Sequence, residues 1–436
     1  MAVAALASGR YRFVVAVLLF AAGMLNYIDR AALGVAAPAV ERDLGLSPSQ
    51  LGLVFSTFFV GYALCAFLGG QLADRYGPLR VYSWAAGSWS LLCALTGVAT
   101  GFVQVFVIRS LFGVAEGPMS STTNRMITNW FPREETSRAI GFTFSGQTVG
   151  STVAAPVVGL LTVAYGWRVA FLVTGGVGLI WVFVWRRFAT DLPRENGRVG
   201  EAEIQLIAAS RSTARIDAAG SLPLRAYLVR SSTLSLGLGL FAVNYAVYIF
   251  LSWLPSYLTS SFHMSMKHMS FAAAIPWACG FVGYVGGGIV SDAAYRRLSS
   301  RLAARKLTAV VPLAGAAVAL AAVTFASTAT AAVAAISIAV LLLTCSVQSC
   351  WATIHELVPE RHVGGVGGFA HFLGNIAGVV GPAATGFAVQ YFGGYSSAFV
   401  VAAGLAICAA VAMTLLIKRP IMLVEPLLAG SRQRPT

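Results

Sequence analysis

Apolar residues run along this chain in long blocks separated by short polar breaks. Twelve blocks fall at roughly 13–36, 51–71, 81–100, 103–128, 139–163, 167–188, 232–258, 269–290, 307–326, 331–354, 364–390 and 395–417. Each is near the ~20 residues that a helix needs to cross ~30 Å of hydrocarbon. They are named span one to span twelve below. The apolar run from Phe13 continues past Ala36, longer than a signal peptide's apolar region, so the first block reads as a retained helix. The longest polar stretch, 190–230, separates span six from span seven. The pattern predicts an all-α membrane protein of twelve transmembrane helices in two pseudo-symmetric six-helix bundles. The first bundle is expected over 1–189, a cytoplasmic linker over 190–230, and the second bundle with a cytoplasmic tail over 231–436.

Composition agrees: 57% of residues are hydrophobic and 11% charged, against about 25% charged in soluble domains. The net charge of +14 does not point to nucleic acid, because the basic residues are spread over many loops. With the N-terminus placed inside, 24 of the 30 Lys and Arg lie on the inner side. Only Arg42, Arg168 and Lys267 lie outside, and Arg30, Arg109 and Arg125 lie within spans. That asymmetry predicts cytoplasmic termini. The six cysteines all sit in apolar blocks without metal-ligand spacing, so no metal site or cofactor is expected. Enzyme signatures are missing: there is no GxSxG and no GxxxxGK, and "HELVPERH" lacks the HExxH spacing.

The two halves repeat each other. "GGQLADRYG" (69–77) follows span two, and "GGGIVSDAAYRR" (286–297) follows span eight. "FPREETSRAIGF" (131–142) after span four matches "VPERHVGGVGGF" (358–369) after span ten. Repeated halves around a midplane site are the build of secondary transporters with alternating access.

"NYIDRAALG" (26–34) places Asp29 and Arg30 inside an apolar block, where a charge costs roughly 2.5–3.5 kcal/mol on insertion scales. At ~1.5 Å per residue, Asp29 of span one and Arg109 of span four come to similar depths, which makes them candidate partners. Arg109 and Glu116 are seven apart and share one helix face. Gly113 and Gly117 would let a neighbouring helix or ligand approach that face, and Pro118 can bend the helix. Arg30, one residue from Asp29, points elsewhere and has no evident partner in the sequence. A carboxylate substrate would satisfy it, because the guanidinium fork suits carboxylates. Glu116 in an apolar helix is a natural proton carrier. Arg125 reads as a helix-end or gating cation.

"GQLADRYGPLR" (70–80) resembles the loop signature of the major facilitator superfamily, matching at Gly70, Asp74, Arg75, Gly77 and Arg80, with a second copy at Asp292. Leu79 stands where a second basic residue is usual. A carboxylate such as Asp74 can sit at a helix N-terminus, and the start of span eleven offers one across the halves, a latch for the cytoplasmic side. "NYIDRAALGVAAPAV", "GPMSSTTNRMITNWFP", "SGQTVG" and "LSWLPSYL" are similar to the anion:cation symporter family within that superfamily, which includes bacterial proton-coupled carriers of sugar acids.

That resemblance implies that Asp29 and Glu116 take up the coupling protons, that Arg30 holds the substrate carboxylate, and that Arg109 pairs with Asp29. It also places Tyr27, Tyr62 and Gln147 near the substrate. In "GFAHFLGNIAG" His371 stands where such carriers often have Asn, with Asn375 one turn on. His371 facing the cavity and His371 capped by a neighbour stay open alternatives. Trp351 and Ser349 of span ten are weaker candidates. The expected function is proton-coupled uptake of a small carboxylate, with H⁺ as the coupling ion and Na⁺ as its alternative. The expected setting is a monomer among the lipids of a bacterial inner membrane. A proton-coupled exporter on the same fold and a transporter-like sensor are the other readings.

Overall fold

The computed structural model describes residues 10–212, 223–298 and 300–417. The expected tail after Ile417 and the linker stretch 213–222 lie outside the described residues. So do Arg215, Lys418, Arg419, Arg432 and Arg434, all counted on the inner side above.

Among the described residues, twelve helical spans run back and forth through the molecule. The first half contains Arg12–Leu44, Pro48–Tyr76, Pro78–Thr96, Phe102–Glu116 continued by Met119–Trp130, Arg133–Tyr165 and Trp167–Phe188. The second half contains Ser231–Phe262, Met266–Ala272 continued by Ala274–Arg297, Arg301–Val323, Ala329–Leu357, Glu360–Phe392 and Ser396–Leu416. Eleven of these are apolar enough to cross a membrane by length and composition. The twelfth, span three, is diluted by Arg80 and several serines.

Local chemistry sets the ends. Span one stops at Gly45, whose φ of 62° is left-handed and so favours glycine. Span two starts three residues on with Pro48 and a reciprocal capping box between Ser47 and Gln50. Spans five and eleven both begin directly after a proline, Pro132 and Pro359, as the repeated motif implies. Span four breaks at Gly117–Pro118.

Glycines draw the spans together. Gly146 and Gly150 of span five lie against the backbone of Phe20 and Met24 in span one. Gly113 and Gly117 of span four lie against Phe58 and Cys65, so the helix they admit is span two. The linker helix Glu201–Ser212 docks on the first half. Its buried Glu203 accepts from the Tyr11 and Arg12 N–H groups at 2.9 and 3.1 Å, neutralising the start of span one.

The halves meet most closely at the end opposite the chain termini. Spans two and eleven cross there, with Gly52 close to Pro382 and Gly386. Ser56 Oγ accepts the Ala383 N–H at 2.9 Å, and Gln390 accepts the Ser49 N–H at 3.1 Å. Gly34 of span one presses on Leu251 and Ser252 of span seven.

Candidate functional site

Midway through the molecule, Arg30 Nε and Nη2 both donate to Glu116 Oε2, at 3.0 and 2.6 Å. Arg30 is 9% exposed and Glu116 fully buried. The Arg30 guanidinium also lies 4.8–4.9 Å from the ring centroids of Tyr27, Phe58 and Tyr62, so its charge is held by one carboxylate oxygen and three aromatic faces. Glu116 Oε1 has no hydrogen-bond partner. Asn26, one turn before Arg30, is buried beside Glu116, with its amide turned toward that carboxylate.

This corrects the pairing read from depth. Arg30 has a partner within the chain, Glu116. Asp29 and Arg109 form no ion pair; the Nε and Nη2 of Arg109 and the Oδ2 of Asp29 are all buried without hydrogen bonds. Counting depth leaves the azimuth open, because successive residues turn by about 100°. Asp29 turns toward spans three and six, while Arg30 turns toward span four. Arg109 instead shares a small pocket with Arg30, walled by Phe55, Phe58, Phe59 and Ser252.

The second half supplies a wall without charge. Tyr248 Oη of span seven donates to Asn375 Oδ1 at 2.8 Å, and Asn375 Nδ2 donates to the His371 carbonyl at 2.9 Å. The Tyr248 ring lies 4.2 Å from that of Phe59, which links this wall to span two. The His371 ring lies tilted, 5.9 Å from that of Trp351, and within range of the Arg30 charge. Gln147 packs against Gly23 where spans five and one cross. Ser349 is tied to Thr308 of span nine at 2.9 Å, away from this cluster.

Tyr27 and Tyr62 thus lie against the Arg30 guanidinium, while His371, Asn375 and Trp351 come together on the second-half wall. Asn26, Phe58, Phe59 and Tyr248 join them without having been singled out. Asn26 was legible in principle, four residues before Arg30 and so on the same helix face.

The loop motifs sit at the other end of spans two and eight. Asp74 pairs with Arg125 of span four at 3.2 Å, and Asp292 with Arg305 at 2.8 Å. The expected contact of Asp74 with span eleven is not made in this conformation. Gly77 has φ 85°, and a side chain there would run into the Asp191 carboxylate, which accepts the Leu79 N–H at 2.7 Å. Gly70 faces Ser121, Arg75 lies over Tyr76, and Arg80 is exposed.

The Major Facilitator Superfamily model matches residues 19–297. The chain is 40% identical to a hexuronate transporter of Bacillus subtilis over 93% of this chain and 94% of that one. It is 30% identical to a D-galactonate transporter of Escherichia coli, over 94% and 96%. A solved bacterial homologue of the lysosomal transporter Spinster, inward-facing and occupied, superposes with TM-score 0.75 at 20% identity, over 93% and 97%. A D-xylose–proton symporter superposes with TM-score 0.73 at 15% identity, over 94% and 98%. These last two establish the fold. The chain belongs to the major facilitator superfamily and is a multi-pass membrane transporter rather than an enzyme.

Proposed function

We propose that this protein takes up a sugar acid together with a proton across a bacterial inner membrane, by alternating access, with both termini in the cytoplasm. The observation that carries this reading is the buried ion pair of Arg30 with Glu116. While Glu116 is ionised, it occupies the guanidinium that a substrate carboxylate would use. A proton on Glu116 releases Arg30, and the unpartnered Oε1 is an oxygen that can hold it. The freed guanidinium then takes the incoming carboxylate. Proton and anion therefore favour each other's binding, which is the thermodynamic link symport needs. The buried pair is stable only when both charges or neither are present, so the empty carrier re-forms it after release.

The neutral wall of Tyr248, Asn375, His371 and Trp351 suits the hydroxyls and ring of a sugar. The name of the Bacillus relative makes hexuronates the first substrates to test. On the orientation given by the positive residues, the sealed end of the molecule is the outer one. The test is uptake of labelled hexuronate into proteoliposomes, with and without an inward proton gradient, and with Na⁺ replaced by K⁺. Accumulation driven by the proton gradient is expected. Uptake indifferent to that gradient would remove the coupling mechanism.

A further inference from the structure

Asp29 faces the interior of the first half. Cys93 of span three donates its S–H to Asp29 Oδ1 at 3.4 Å. The same sulfur lies 3.4 Å from Thr174 Oγ1 of span six. Asp29 and Cys93 are each 1% exposed. Asp29 Oδ2 has no hydrogen-bond partner. It lies toward Gly178, where an added methyl would stand 3.9 Å from it and would collide with the equally unpartnered Ser90 Oγ.

The hydroxyl of Thr174 is committed to its own helix, with Oγ1 at 3.0 Å from the Ala170 carbonyl and 3.2 Å from that of Phe171. Toward the thiol, Thr174 can therefore only accept. A thiol has one hydrogen. It can serve Asp29 or Thr174, but not both.

We propose that Cys93 is a positioning residue whose single thiol hydrogen turns between Asp29 and Thr174 according to the protonation of Asp29. With Asp29 ionised, the S–H points to Oδ1. When Asp29 takes a proton from solvent, its new O–H donates to the sulfur, and the S–H turns to Thr174 Oγ1. No bond to sulfur forms or breaks, and the added proton stays on Asp29. Accepting this bond polarises the Thr174 hydroxyl toward its helix backbone, so span six registers a proton bound on span one. The charged groups acting on Asp29 are Glu116 and Arg109 of span four. Arg109 acts on Cys93 as well. Among the described residues, spans five, six and seven add no charge there.

This assignment rests on Asp29 being a titrating site, as the family resemblance implies, and goes beyond the coupling at Glu116 proposed above. It is tested on the full chain by infrared difference spectroscopy, acidic minus neutral. The S–H stretch lies in a region clear of water and amide absorption. One S–H band is expected to move with pH. The movement should vanish in Cys93→Ala and in Asp29→Asn, and persist in Cys350→Ala. A spectrum in which no S–H band moves overturns the assignment, as does a movement that survives Asp29→Asn. In uptake, Cys93→Ala should change the rate about three-fold on the steep flank of the pH profile. Cys93→Ser, which keeps one turnable hydrogen, should restore the native profile. Equal displacement in both variants would likewise overturn it. If the band moves as expected while wild-type uptake ignores the proton gradient, the thiol assignment stands and the coupling reading alone fails.

Discussion

The first half carries four residues of the charged types deep in its spans: Asp29, Arg30, Arg109 and Glu116. Spans seven to twelve carry no Asp, Glu, Lys or Arg away from their ends. Yet both halves repeat the same loops and the same helix starts. The difference shows what the repeat is free to vary. On the coupling proposed above, a buried ion pair that breaks and re-forms in each cycle needs both partners on one rigid body. Otherwise every rocking motion would pull opposite charges apart in a medium of low dielectric. Spans one and four belong to one half, so Arg30 and Glu116 can stay in register while the second half moves past them. The opposing wall is neutral, and its hydrogen bonds, Tyr248 to Asn375 and Asn375 to His371, also close within one half.

The sharpest way to break this division is at Arg30. Arg30→Gln leaves Glu116 buried without its counter-charge, a loss of about 3–5 kcal/mol in stability, and uptake should be abolished. Arg30→Lys keeps the charge but loses the planar contact with three rings and the fork. Apparent affinity for the acid should fall at least about ten-fold, or about 1.4 kcal/mol. Concentration-dependent uptake and thermal unfolding measure the two effects. Near-native affinity in Arg30→Lys would place carboxylate recognition elsewhere.

Glu116→Gln should separate two activities. Gln resembles a permanently protonated Glu, so Arg30 is always free for substrate, and exchange of labelled for unlabelled acid should continue. Gradient-driven accumulation should be lost, because no proton is released at this site. Counterflow and accumulation, measured on one preparation, decide. Loss of both would make Glu116 a structural or substrate-binding residue, and retention of both would shift coupling to Asp29 alone.

How much of this was legible beforehand follows from what sequence encodes directly. Apolar runs, loop charges and the matched pairs Asp74 and Asp292, Pro132 and Pro359 are one-dimensional, and they yielded the twelve spans and the two halves. Gly113 and Gly117 announced a close helix crossing before its partner, span two, was known. Pro118 likewise announced the break in span four. Partnerships across helices were harder. Depth can be counted from the sequence, but the azimuth of Asp29 depends on how span one is rotated against spans three, five and six. Gly146 and Gly150 set part of that rotation through backbone contacts with Phe20 and Met24. Tyr248 and Phe58 were invisible for another reason, since an aromatic residue in an apolar helix reads first as packing. Cys93 looked equally bland until Asp29 was found beside it.

The neutral wall should respond more gently. Tyr248→Phe removes the hydroxyl that Asn375 accepts, and a net hydrogen bond is worth about 0.5–1.5 kcal/mol. Apparent affinity should weaken by roughly two- to ten-fold, while the requirement for a proton gradient stays. Paired uptake curves at two gradients would test this. A Tyr248→Phe protein that accumulated substrate without a gradient would show that coupling reaches into the second half, and the division proposed above would fail.

The smallest effects are expected at the loop motifs, where the halves differ in a quieter way. Asp74 reaches back to Arg125 in span four, with side chains 63% and 49% exposed. With Pro132 matched to Pro359, the position equivalent to Arg125 is Ala352, so the second half has no such arginine. Asp292 turns instead to Arg305 at the start of span nine, whose Nη1 also donates to Ser291 at 2.7 Å. One motif therefore ties helices distant in sequence, and the other ties neighbours joined by a short loop. Both partners of the first pair are exposed, and a pair of that kind contributes about 0–1 kcal/mol, so Arg125→Gln should leave thermal unfolding nearly unchanged; Arg305 is only 15% exposed, so Asp292→Asn should cost somewhat more. Transport should tell them apart. On the latch read from the sequence, Asp74 would meet the start of span eleven when the termini end shuts, and in this structure it pairs with Arg125 instead. Freeing it by Arg125→Gln should change the uptake rate while affinity stays native. Asp292→Asn, which loosens only a local turn, should change the rate less. Rates measured at saturating substrate provide the comparison. Equal slowing by both variants would mean that the two motifs do the same work, and that the asymmetry of their partners is incidental.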